Sequence, residues 1–201
     1  VSSRRNNISS ITERRRRLQK KSVSEQYHSR YLLAHFQKLS SLKKELTRLP
    51  SPGEFFFLQS DKSFNGFTFV AYVAEKESIR HMYASTYNLS VKVIDGFMEL
   101  LRSGRLESLT LLVNDQLLKR NPTTVDYLRS LTESMGNVKV KFAWSHAKII
   151  LLDVPSGKYI IEGSGNLADN AQYEQYLFAQ DEGVYRFRES LFTDIKIRHE
   201  F

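Results

Sequence analysis

The stretch Ser145-His146-Ala147-Lys148 runs directly into Ile149-Ile150-Leu151-Leu152-Asp153. It sets an imidazole and an ammonium two residues apart, in front of an apolar run that reads as a buried strand. Alternate residues of a strand project from one face, so His146 and Lys148 are expected side by side. Such a pair suits attack on a phosphodiester. The imidazole can bond to phosphorus, and a fixed cation beside it can hold the charged oxygens. Further on, Gly163-Ser164-Gly165-Asn166 offers a tight turn with a hydroxyl and a side-chain amide.

Taken in order, His146, Lys148, Asp153, Gly163, Ser164 and Asn166 resemble the HKD motif of the phospholipase D superfamily. Glu174 falls where members of that family place a carboxylate after the Gly-Ser-x-Asn turn. Ser78 to Ala84, the helix expected after it, and Leu109 to Val113 also look like the early part of a single-motif bacterial endonuclease of the superfamily. The resemblance covers residues 55–195 in pattern and is sharp across 145–174. One departure is the spacing between Asp153 and Gly163, nine residues from Val154 to Glu162, which is longer than the family's usual one. Val154-Pro155-Ser156-Gly157-Lys158 reads as a hairpin turn, and Tyr159-Ile160-Ile161 as its return strand. Gly163 can then still arrive beside His146. Asp153, if it sits at the far end of its strand, becomes a turn or surface residue instead of a catalytic one.

The resemblance implies a two-step displacement that needs neither metal nor cofactor. One histidine attacks phosphorus to form a phosphohistidine, a second protonates the leaving oxygen, and water then attacks the intermediate. On this pattern His146 is the nucleophile, and Lys148 and Asn166 hold the non-bridging oxygens. Ser164 orients His146 or donates to phosphate, and Gly163 and Gly165 admit the close turn. Glu174 accepts the proton on the far nitrogen of a histidine; the alternative is an exposed carboxylate. His28, His35, His81 and His199 lack a lysine at the motif spacing, so the chain carries one motif. A complete site then calls for a homodimer in which His146 of each copy faces the other. Pairing with another protein, or loss of activity, stays open. Ser85, Thr86 and Tyr87 are placed in the same cleft by fold analogy. Trp144, just before the motif, could stack on a base or fill the core; as a large aromatic at a strand end it is expected in the core.

The 201 residues contain no cysteine, which excludes disulfides and thiolate metal sites. No run is long and apolar enough for a membrane span, and no secretory signal is visible. The expected location is cytoplasmic, in a bacterial or phage-derived setting, although the sequence begins at Val1 without a methionine. Positive charge is concentrated at one end: residues 1–50 hold 13 Lys and Arg against 3 Asp and Glu, and the remainder 17 against 19. Residues 1–12 read as a tail without fixed structure, followed by the cluster Arg14-Arg15-Arg16-Arg17 with Lys20 and Lys21. That arm suits nucleic-acid phosphates, and anionic lipid or an acidic protein are alternatives.

Tyr31, Leu32, Phe36, Leu39, Leu42, Leu46 and Leu49 recur at helical spacing up to Pro50, predicting an amphipathic helix packed on its own domain or on a second copy. Residues 1–50 are thus expected as a basic arm and helix, and 51–201 as the phospholipase D-like domain. Beyond 50, strands are expected over 54–59, 67–73, 78–84, 109–113, 138–144 and 146–152, and helices over 91–101, 123–135 and 184–197. Alternating elements of this kind predict an α/β fold, a mixed sheet flanked by helices on both faces. The function expected is a metal-independent phosphodiesterase, a nuclease acting on DNA through residues 1–24 and a cleft shared by the homodimer. The rivals are a catalytically weak nucleic-acid-binding protein on the same scaffold and a phospholipid phosphodiesterase or transferase.

Overall fold

The computed structural model describes residues 25–28, 33–39, 42, 46–60, 65–168 and 173–201, with backbone alone for 25–28 and 33–39. The strands are β1 (Glu25–His28), β2 (Leu33–Leu39), β3 (Glu54–Ser60), β4 (His81–Thr86) and β5 (Leu109–Asn114), followed by β6 (Val138–Ala143), β7 (Ile149–Val154), β8 (Gly157–Gly163), β9 (Glu174–Gln180) and β10 (Ile197–Glu200). The helices are α1 (Gly66–Ala74), α2 (Val91–Arg102), α3 (Leu117–Arg120), α4 (Pro122–Ser134) and α5 (Glu182–Asp194). All ten strands join one open sheet in the order β1-β2-β3-β9-β8-β7-β4-β5-β6-β10. Strands β4, β5 and β6 run parallel, while β7, β8 and β9 form an antiparallel meander against them. This is the mixed α/β sandwich expected from the sequence, with helices on both faces.

Two cores result from the strand alternation. Ile150, Leu152 and Val154 of β7 face α1, α2 and α4, together with Phe69, Phe97 and Leu128. Ile149 and Leu151 face the other way, against Tyr185 and Phe192 of α5. Each fully buried side chain of this size contributes about 1.5–3 kcal/mol. The α5 helix is further tied down by Arg188, whose guanidinium donates to Glu162 of β8 through Nε at 2.5 Å and Nη2 at 2.9 Å. No helix of the described residues is long and apolar enough to cross a membrane.

The segment Phe67 to Val73, expected as a strand, is the helix α1. Its aromatic and β-branched residues favour strands. Here, however, consecutive residues are buried (Phe69 and Val70, then Tyr72, Val73 and Ala74), as befits a helix wedged against the sheet. The ring of Phe67 packs edge-on against Phe97 of α2, with centroids 5.3 Å apart. Asn65 starts the helix by accepting from the Phe67 amide at 2.9 Å.

The helix expected over 31–49 is corrected over 33–39, while Leu42 is helical and its carbonyl accepts from the Leu46 amide at 2.9 Å. Leu33–Leu39 form β2, which pairs in parallel with β3. Without β2, the outer row of β3 amides and carbonyls would lack partners from the sheet, and satisfying them outweighs a weak helical pattern. Leu42 and Leu46 lie in the same core as α1 and α2. Strand β9 carries no sequence expectation of its own, and β10 begins at Ile197, the last residue of the helix expected over 184–197, which ends at Asp194. The tail 1–12, the Arg14–Arg17 cluster with Lys20 and Lys21, and the turn residues 61–64 lie outside the described residues.

Asn65 does two things at once, because its Nδ2 also donates to the Ala168 carbonyl at 3.0 Å. Asn65→Ala is therefore expected to lower stability by about 1–2 kcal/mol, the range for losing an N-cap. Urea denaturation measures this, and a change within experimental error would remove the cap from the account.

Candidate functional site

The parallel strands β4, β5 and β6 all end on one rim of the sheet, where β8 also ends and β7 and β9 begin. In open α/β sheets, the carboxyl ends of parallel strands form the usual ligand crevice. His146 and Lys148 lie on this rim, in the extended connection between β6 and β7 rather than within a strand. The connection is held from both sides. Asn114, the last residue of β5, donates to the Ser145 carbonyl at 2.7 Å, and Ser85 of β4 donates to the Ala147 carbonyl at 3.1 Å. The Gly163 amide donates to the Lys148 carbonyl at 3.3 Å, extending the β7–β8 ladder by one residue.

The two side chains meet as the spacing suggests. Lys148 Nζ lies 3.1 Å from His146 Nδ1 and 3.3 Å from the His146 carbonyl. In this arrangement the ammonium donates to the ring, so a neutral His146 carries its own proton on Nε2. The imidazole packs against Tyr87, with ring centroids 4.5 Å apart, and is otherwise open to solvent. The Tyr87 hydroxyl donates to Gln116 at 2.9 Å, which fixes the platform beneath the histidine. Lys148 is more enclosed, reaching over a narrow pocket lined by Ser85, Ile150, Gly163, Gly165 and Tyr176. Burial lowers the pKa of its ammonium below the ordinary lysine value, and the Glu174 carboxylate partly opposes this.

Ser164 and Glu174 are brought together across the start of the β8–β9 connection. The Ser164 hydroxyl donates to Glu174 Oε2 and accepts from the Gln175 amide at 3.1 Å. Glu174 thus engages Ser164 and the field of Lys148, rather than a ring nitrogen of His146 in its own chain. Gly163 is required by close approach. A Cβ there would lie 2.5 Å from both the Gln175 carbonyl oxygen and a Tyr176 ring carbon. Gly165 is buried, and Asn166 is half-buried just before Leu167. The Leu167 amide donates to Thr86 Oγ1 at 3.1 Å, so the Gly-Ser-x-Asn turn is pinned to the end of β4.

Asp153 does not join this group. It lies at the opposite end of β7, across from His81 and Lys158, five residue steps of about 3.3 Å from Lys148. There it accepts from Lys158 and from Arg80 at 2.5 Å. Burial disfavours its charge, but the hydrogen bonds and charges of these two cations prevail and hold its pKa below the ordinary value.

Trp144, expected in the core, is 64% exposed beside the motif. Residue 144 follows the last pairing of β6, where the chain turns out of the sheet, so no second layer covers the indole. The Arg198 guanidinium lies over its ring at 5.7 Å, and Arg120 lies over Tyr87 at 4.5 Å. Sequence reasoning missed Asn114, Asn65 and Gln116 as positioning residues. The available signal was a polar residue at the carboxyl end of an apolar strand, Leu109 to Asn114.

Asp153→Asn is expected to destabilise the fold at neutral pH, by about 1 kcal/mol for a partly exposed network. The native pKa lies below the unfolded one. Its contribution is therefore complete above the unfolded carboxyl pKa and fades as pH falls through the native value. Wild type and variant should accordingly converge in acid, as measured by thermal unfolding. A gap that widens in acid would contradict the assignment. For Lys148, NMR of ¹³Cε-labelled lysine should show titration below the ordinary lysine range. Glu174→Gln should move it lower still, because a negative charge is removed. An upward move would contradict the geometry.

No protein-family model matches the chain, and no curated protein matches it. Among solved structures, it resembles a polyphosphate kinase from Porphyromonas gingivalis, with a TM-score of 0.54 and 11% identity over 70% of this chain and 26% of that one. It also resembles a phosphatidylserine synthase from Haemophilus influenzae Rd KW20, with a TM-score of 0.50 and 15% identity over 72% of this chain and 40% of that one. The chain therefore spans between a quarter and two-fifths of these proteins' lengths. Both belong to the phospholipase D superfamily. What this chain shares with them is the fold: an open mixed α/β sheet of phospholipase D type.

Proposed function

We propose that this chain is a phosphodiesterase that cleaves nucleic acid, DNA first among candidates, through a phosphohistidine on His146. The observation that carries the reading is the contact of Lys148 Nζ with His146 Nδ1 at 3.1 Å, on the open rim of the sheet. In that state the ammonium occupies the imidazole lone pair. A phosphodiester anion would draw the ammonium away. A hydrogen bond with one charged partner contributes about 1.5–3 kcal/mol net, and an ammonium about 4 Å from an anion gains roughly 4 kcal/mol of Coulomb attraction at an effective dielectric of 20. Lys148 then holds the non-bridging oxygens with the Asn166 amide, and the freed His146 nitrogen attacks phosphorus. The P–O bond to the leaving group breaks as the N–P bond forms. The leaving oxygen takes a proton from a second histidine, which later removes one from the attacking water.

The motif occurs once in the chain, so the second histidine is assigned to His146 of another copy, in a two-fold homodimer. Ser164 and Glu174 act as positioning residues: Glu174 fixes the Ser164 hydroxyl and keeps Lys148 cationic. Asp153 is read as a structural ion-pair partner. The basic arm favours a polyanionic substrate over a lipid headgroup, and residues 1–24 are assigned to phosphate contact.

The test uses bis-p-nitrophenyl phosphate and DNA in excess chelator. His146→Ala should reduce hydrolysis of both by at least about 10³-fold, in line with the loss of a covalent nucleophile, while sedimentation still shows a dimer. Activity that survives this substitution, or that chelator alone removes, would overturn the reading.

A further inference from the structure

Beyond the phosphate site, a second feature occupies the same rim. A groove of about 560 Å³ runs between α4 and β10, lined by Leu118, Val125, Asp126, Arg129, Arg198 and His199. Two chains of contacts link it to the site. Arg198, on its wall, lies over the exposed Trp144, two residues before His146. Leu118, on the other wall, belongs to α3, whose last residue Arg120 lies over Tyr87, which in turn packs on His146. The Arg198 guanidinium is fixed by Asp115 at 2.7 Å, and Arg129 lies over the Phe201 ring at 5.3 Å.

These are planar groups gathered at one surface: an exposed indole with Arg198 over one face, guanidiniums over Tyr87 and Phe201, and a wall carrying Arg129, Arg198 and His199 with Asp126. Arg198 covers one face of the Trp144 indole, yet the side chain is 64% exposed, and such an exposed aromatic is poorly suited to a duplex, whose base faces are already stacked. It suits an unpaired base, for which stacking on an aromatic is sequence-tolerant and Arg side chains add both planar stacking and phosphate charge. A lipid chain would be poorly served by a wall carrying Arg129, Arg198 and Asp126.

We infer that the α4–β10 groove is the track for a single-stranded stretch of nucleic acid leaving the site, with Trp144 stacking on the base next to the scissile phosphate. This rests on the nucleic-acid reading above and deepens it by naming an unpaired strand as the preferred substrate.

The test measures binding in the full chain carrying His146→Ala, so that turnover plays no part and failure of the chemistry does not affect the readout. Fluorescence anisotropy compares a labelled oligo-dT strand with a duplex of equal length. Adding Trp144→Ala should weaken single-strand binding about 5- to 150-fold, the loss of one base–aromatic stack. Trp144→Tyr should restore most of it, which separates stacking from misfolding. Arg129→Ala should lower the salt slope of log K by about one. The unmodified groove should prefer the single strand. A preference for duplex, a Trp144→Ala effect below twofold, or binding to anionic phosphatidylglycerol vesicles in place of oligonucleotide would overturn the inference.

Discussion

Strand β7 buries both faces, and the geometry of the site depends on that. Ile149 and Leu151 enter one core while Ile150, Leu152 and Val154 enter the other. A shift by one residue would exchange every side chain between two differently shaped layers, so the register is fixed. The residue before the strand inherits that certainty. Lys148 lies over the pocket because Ile150 is locked beneath it, and the Gly163 amide joins the Lys148 carbonyl because β8 is in the matching register. The strand thus fixes the backbone from which the Lys148 ammonium swings between His146 and a bound phosphate, which keeps its reach within the site.

The same logic separates the chemical end of β7 from its structural end. Both carry charged groups near lysine. At one end, Lys148 has a ring acceptor, partial burial and an open approach from solvent. At the other, Lys158 and Arg80 enclose Asp153 in ion pairs that leave little for a ligand. Sequence order alone joins Asp153 to the motif. The strand separates them, and the long hairpin after Asp153 is consistent with that position being a corner of the fold.

How much was legible in the sequence follows from how local each signal is. The His-x-Lys pair and the Gly-Ser-x-Asn turn are short-range patterns, and the structure brings them to one rim through the β7–β8 hairpin that Pro155 and Gly157 announce. Helix α4 was legible because Asn121 caps it and Pro122 opens it. Phe67 to Val73 was misread because its residue types favour strands, whereas the burial of Phe69, Val70, Tyr72 and Val73 is set by distant partners such as Phe97 and Tyr176. Leu33–Leu39 was misread because the exposed edge of β3, not the segment's own periodicity, decides its conformation. Trp144 was misplaced because exposure depends on where β6 stops pairing, and no local residue states that.

The most direct measurement of the central claim is to trap the intermediate. The full chain is mixed with a phosphodiester substrate, quenched in alkali to preserve an N–P bond, and digested for mass spectrometry. The account expects a phosphoryl adduct on His146, formed and lost at the rate of turnover. An active protein whose adduct sits on another residue, or whose rapid-quench time course shows none, would contradict it.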